Sequence, residues 1–353
     1  MKRILQGVFF CCILIFAACN VEYYNGFSLS ARKQQPAAPE PPAGGPLGTF
    51  ELNNPISPPE DDEGDTPRAI AWGETQRRWL LVSSGGALYS SDNDGGVWDR
   101  VPDVDLGHNA MLQYGGGAWV CGNDSDSTAV RLHYSTDGVT WTQLGDYMGT
   151  SFAYSKERGM WLVLVKWPAA ALTSTDGQAW TISNDSLGYT SYFGKGICYG
   201  GGKWLFNYAS DGYYASEDDG ATWAKIVGYN DFTLFDKLLF RNGVWLGFTL
   251  YFPSVYYLEA ADFSVTFADW TRVSDGEFLG NGIGVRDIAF NANRFVAVGE
   301  NGKISWSADG KIWTAADAPF DDSDTVTAIG YGNGRWIAVT NTWKTASVLD
   351  AEP

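Results

Sequence analysis

Ser216-Glu217-Asp218-Asp219-Gly220-Ala221-Thr222-Trp223 decides the fold, because versions of it recur along the chain. Ser91-Asp92-Asn93-Asp94-Gly95-Gly96-Val97-Trp98 has the same length, with Asn93 in the place of Asp218. Ser135 to Trp141, Ser174 to Trp180 and Ser307 to Trp313 are one residue shorter, and a degenerate copy keeps only Trp270. Ser and Asp oxygens accept hydrogen bonds from backbone N–H groups inside a tight turn. Gly supplies the positive φ that the turn requires, and the Trp has the bulk to fill a wedge between packed sheets.

A second aromatic series runs in phase with the first: Trp79, Trp119, Trp161, Trp204, Trp245, Phe295 and Trp336. Most of its members follow a Gly or Asn-Gly turn, which is a strong hairpin signal. Each unit therefore reads as four short strands in a meander repeated about every 43 residues, which is a propeller blade. The expected fold is all-β: a single seven-bladed β-propeller of four-stranded antiparallel blades, preceded by a signal peptide and a disordered tether. The last unit runs out before its fourth strand, so residues 48–53 are expected to supply the outer strand of the C-terminal blade.

Residues 1–18 read as a signal peptide, with Lys2 and Arg3 ahead of the apolar run Ile4 to Phe16. Phe16-Ala17-Ala18-Cys19 resembles the bacterial lipobox, which implies lipidation at Cys19 and, with Asn20 following, sorting to the outer membrane. Residues 19–47 are a Pro/Ala/Gly-rich tether, and 48–353 the propeller. The membrane is then reached only through the N-terminal lipid. Without Lys2 and Arg3 the chain holds 22 basic and 41 acidic residues, a net charge of −19. Such a surface repels nucleic acid. Of five cysteines, Cys121 and Cys198 remain in the propeller, two units apart, and are expected as buried thiols. No Cys/His metal spacing occurs, Asp92-Asn93-Asp94 lacks the downstream Glu of a calcium loop, and no cofactor is expected.

The turns resemble the Asp box, or bacterial neuraminidase repeat, whose pattern is Ser-x-Asp-x-Gly-x-x-Trp. Ser216, Asp218, Gly220 and Trp223 match it fully. The shorter copies resemble those of bacterial lipoproteins and photosystem II assembly factor-like propellers. The resemblance covers the chain from about residue 69 onward and implies the fold. It implies little about activity, since propellers host hydrolases, receptors and scaffolds. Sialidases share the fold and need three arginines, but Pro67-Arg68-Ala69-Ile70 is only a faint echo of their Arg-Ile-Pro signature. His108 and His133 are the only histidines and sit in different contexts. No catalytic residue is assigned.

In a meander blade the Asp-Gly turns and the Gly turns share one face. The blade-to-blade connectors and the loops after the Trp-led strands share the other. The second face holds the variable, aromatic loops, the usual place for binding. Its candidate ligand- or partner-binding residues are Trp167, Tyr192, Tyr208, Tyr229, Tyr251, Phe252 and Trp343. The expected function is a membrane-anchored extracytoplasmic binding or scaffold propeller for a glycan or protein, the alternative being a sialidase-like or other glycoside hydrolase.

Overall fold

The computed structural model describes residues 46–58, 64–123, 132–144, 149–165, 169–187, 196–208, 212–228, 235–249, 254–259, 270–273 and 284–350. Residues 40–353 gather into one unit. The first strand, β1, is Glu51–Leu52. Blade 1 follows with β2 to β5 (Pro67–Gly73, Arg78–Ser83, Ala87–Ser91, Asp99–Asp105), and blade 2 with β6 to β9 (Ala110–Gly115, Ala118–Asn123, His133–Ser135, Thr142–Gln143). Blade 3 is β10 to β13 (Gly149–Ser155, Met160–Val165, Ala170–Ser174, Thr181–Asn184). Blade 4 is β14 to β17 (Cys198–Gly200, Lys203–Tyr208, Gly212–Ser216, Ala224–Gly228). Blade 5 is β18 to β21 (Lys237–Arg241, Val244–Thr249, Ser254–Glu259, Thr271–Arg272), and blade 6 is β22 to β25 (Val285–Phe290, Phe295–Gly299, Ile304–Ser307, Thr314–Ala315). Blade 7 takes β26 to β28 (Val326–Gly332, Arg335–Thr340, Thr345–Leu349) and completes itself with β1. The molecule is a seven-bladed β-propeller of four-stranded antiparallel blades.

Strand register joins the two sequence signals. The leading aromatic of the second strand pairs with the serine that opens the turn: Trp79 with Ser91, Trp119 with Ser135, Trp161 with Ser174, Trp204 with Ser216 and Phe295 with Ser307. In blade 4, Gly220 N–H donates to Ser216 Oγ at 2.8 Å, Thr222 N–H to Asp218 Oδ1 at 2.8 Å, and Trp223 Nε1 to the Gly220 carbonyl at 3.0 Å. The buried serines are thus satisfied within the turn itself.

The turn also reaches sideways. A methyl group at Gly220 (φ +86°) would lie 2.8 Å from Leu162 of blade 3. At Gly95 (φ +80°) it would lie 2.5 Å from Ile337 of blade 7. Each such turn needs glycine twice over, for its positive φ and for contact with the preceding blade. The core is accordingly divided into seven apolar clusters, one between each pair of adjacent blades. Trp79, Trp119, Trp161, Trp204, Trp245 and Trp336 are fully buried at their centres. Cys121 and Cys198 are buried free thiols in different clusters, and burial pushes the Cys198 thiol up to about 12.

Closure is carried by a short segment. Glu51 pairs with Ser347 and Leu52 with Ala346. Asn53 N–H donates to the Thr345 carbonyl at 2.9 Å, and Ile56 N–H to that of Trp343 at 3.1 Å. Phe50 is 1% exposed in the cluster between blades 6 and 7, while Ile56 lies in the cluster between blades 7 and 1. The segment therefore anchors the last blade to both neighbours. Phe50→Ala is expected to cost about 3–5 kcal/mol by cavity formation, read from denaturant midpoints; an unchanged midpoint contradicts this closure.

The turns also set acid sensitivity. The Ala179 and Gln178 N–H groups hold the Asp176 carboxyl below the usual carboxylate range, and the hydroxyl and N–H of Thr222 do the same for Asp218. Such groups stabilise the fold above the unfolded value of about 4, and that contribution is lost as pH falls through the lower folded values. Stability should decline below about pH 4. The decline should be shallower in the Asp176→Asn, Asp218→Asn double variant, and an identical acid limb rules the turns out as its source.

Candidate functional site

The first strands of all seven blades surround a central funnel of about 800 Å³. Each is an edge strand of its sheet, and its residues line the funnel. The other edge of each strand leaves the N–H and C=O groups that face the axis outside any sheet ladder.

One end of the funnel is collared by aromatics. Trp72, Tyr114, Tyr154, Tyr199, Phe240, Phe290 and Tyr331, one per blade, all line it. Each pairs in register with the leading aromatic of the next strand, as Tyr114 with Trp119 and Phe240 with Trp245. The two rings of each pair lie in contact, with centroids 4.5 Å apart for Phe240–Trp245 and 4.9 Å for Tyr114–Trp119. Several collar rings also cover a glycine of the preceding blade. A methyl group at Gly115, Gly200 or Gly332 would come within 2.2 Å of Tyr154, Phe240 or Trp72. The glycines let the rings close the circle. Tyr331 Oη donates to the Asp350 carbonyl at 2.9 Å, and Tyr114 Oη accepts from Thr75 N–H at 3.1 Å.

The opposite, connector end is polar on one side and apolar on the other. The inner strands of blades 6, 7 and 1 each carry a β-bulge at their second residue, Arg286, Thr327 and Arg68. All three residues line the funnel. Lys237 Nζ of blade 5 donates to Asp287 Oδ1 at 2.6 Å, and Asp287 Oδ2 accepts from Ile329 N–H at 3.1 Å, so one carboxylate joins blades 5, 6 and 7. Arg286 is paired with Glu300. Met111, Phe152 and Ile197, of blades 2, 3 and 4, contribute apolar surface.

Trp343, expected on the binding face, is instead a core residue. It is 5% exposed, its ring centroid lies 5.2 Å from that of Tyr89, and its Nε1 donates to the Asp65 carbonyl at 3.0 Å. A tight turn tucks it inward, with φ +64° and its N–H donating to the Thr340 carbonyl. Tyr208 ends β15, paired through its backbone with Gly212; its side chain lies outside the described residues. Trp167, Tyr192, Tyr229, Tyr251 and Phe252 lie outside them altogether, as does Cys19. His108, exposed between blades 1 and 2, and His133 in β8 do not line the funnel. Among the described residues, the arginines lining it are Arg68 and Arg286. Of these, the sequence singles out only Arg68, within Pro67-Arg68-Ala69-Ile70, and nothing there marks Arg286. Only the recurrence of an aromatic five or seven residues ahead of each leading Trp or Phe signalled the collar.

No protein-family model matches the chain, and no curated protein matches it. Solved structures do. YCF48 bound to D1 peptide superposes with a TM-score of 0.59 at 14% identity, covering 87% of this chain and 100% of that one. YCF48 from Cyanidioschyzon merolae gives 0.56 at 11%, covering 86% and 99%. Streptogramin B lyase gives 0.61 at 11%, covering 85% and 98%. At these identities the likeness concerns the propeller fold.

Trp343→Ala is expected to destabilise the protein by about 3–5 kcal/mol, seen as a lower Tm. A variant that melts like the parent returns Trp343 to the surface.

Proposed function

We propose that this chain is a binding or scaffold propeller of the Asp-box type that holds a polypeptide partner at the connector end of its central funnel. The observation that carries this reading is the funnel itself. It is deep, walled by strand edges from every blade, and polar on one side and apolar on the other. Strand edges offer backbone donors and acceptors to an extended chain, and a concave apolar surface with a few polar groups is the usual form of a binding site. YCF48, a propeller of similar fold, has been solved with a peptide bound. We assign the expected binding aromatics Trp167, Tyr192, Tyr208, Tyr229, Tyr251 and Phe252 to this same face, on the sequence pattern of variable aromatic segments between the blade strands. Cys19 carries the lipid that anchors the chain to the outer membrane, and the tether runs from it to residue 46, since Leu47 is already packed between blades 6 and 7.

Two measurements test this reading. Cys19→Ser should move the protein from the membrane fraction to the soluble fraction; quantitative retention on membranes removes the anchor. A partner cross-linked in the native envelope should be lost from Thr327→Trp, which fills the funnel, with Tm held. Undiminished cross-linking places the contact elsewhere, and selective binding on a glycan array would replace the polypeptide with a sugar.

A further inference from the structure

The bulges at the connector end single out Arg68. A bulge re-aims the extra residue and is common beside binding sites. Four inner strands carry one at their second residue, in blades 3, 6, 7 and 1, and those of the three consecutive blades bring Arg286, Thr327 and Arg68 to one wall of the funnel. Two of these groups are engaged within the protein. Arg286 pairs with Glu300, and the Thr327 hydroxyl donates to the Val339 carbonyl at 3.2 Å. The neighbouring Lys237 is taken by Asp287. Arg68 differs: its Nε is closed off from solvent with no hydrogen-bond partner, and among the described residues no carboxylate pairs with it. Arg335 is also half-buried without a carboxylate partner, but its Nη1 donates to Ser347 Oγ at 2.9 Å, a bond that Arg68 lacks. The sealed Nε is out of a ligand's reach, but Nη1 and Nη2, accessible and without a partner among the described residues, lie on the funnel wall and are poised for an anion arriving from outside.

We propose that Arg68 is the anchor of a carboxylate-binding site, and that the ligand carries its carboxylate on an apolar body. The planar guanidinium presents paired donors that match a carboxylate bidentately. On blades 2 to 4 the funnel is lined by half-buried Met111 and by the edges of the largely buried Phe152 and Ile197, which suit an alkyl or aryl group rather than a polyhydroxylated ring. The carboxylate is that of a polypeptide C-terminus or of a small organic acid. The first source rests on the binding reading above and names the group recognised; the second stands without it.

The test is calorimetric titration of the full chain with four probes: 4-phenylbutyrate, 4-phenylbutyramide, and an N-acetylated tripeptide ending in phenylalanine as free acid and as amide. At least one acid should bind at least tenfold more tightly than its amide. Arg68→Gln should abolish that difference, and Arg68→Lys should retain part of it. Binding of the peptide acid alone identifies a polypeptide end, binding of phenylbutyrate alone a small acid, and both outcomes support the site. Equal binding of acid and amide, no binding by any probe, or an acid preference that survives in Arg68→Gln overturns it. If Arg68→Gln does not fold, the acid–amide comparison in the parent and in Arg68→Lys still decides. Failure here with partner cross-linking intact removes the carboxylate site and leaves the binding module.

Discussion

Everything in this molecule depends on closing the ring at blade 7. Each blade buries its faces only against its two neighbours, so an open ring exposes two apolar faces and a strand edge. The join is made by β1, a two-residue strand, together with the turn of blade 1, whose Gly95 lies against Ile337. Phe50 and Ile56 enter the clusters on either side of blade 7. The funnel is a consequence of closure, because the seven inner strands share an axis only when the circle is complete.

Closure also explains the local chemistry of the repeats. The Ser-Asp-Gly-Trp turn satisfies its own polar groups and hands a bare glycine to the preceding blade. The leading Trp fills the wedge behind it. In blade 5, where the turn has degenerated, register places Leu258 opposite Trp245, in the position that serine holds in blades 1 to 4 and 6. A buried apolar pair then takes over from the hydrogen-bonded turn.

Much of the fold was legible in the sequence because its determinants are local and periodic. Spacing alone revealed the two aromatic series and the missing last strand. The funnel was less legible because its determinants cross between repeats. The collar ring Phe240 is made possible by Gly200 one blade earlier. Trp343 looked like a loop aromatic because its partner, Asp65, is 278 residues away across the closure. The bulge that presents Arg68 is a matter of register, and a faint Pro-Arg-Ala-Ile echo did not show that the guanidinium stands without a partner.

The most direct test of this account is native-state hydrogen exchange at the closing segment. The Asn53 and Ile56 amides, bonded to the Thr345 and Trp343 carbonyls, should exchange only through global unfolding, with the same protection as amides in the central strands of blades 2 and 3. Exchange of these two amides on the timescale of free loops, while the rest of the ring stays protected, would contradict the claim that β1 holds the propeller shut.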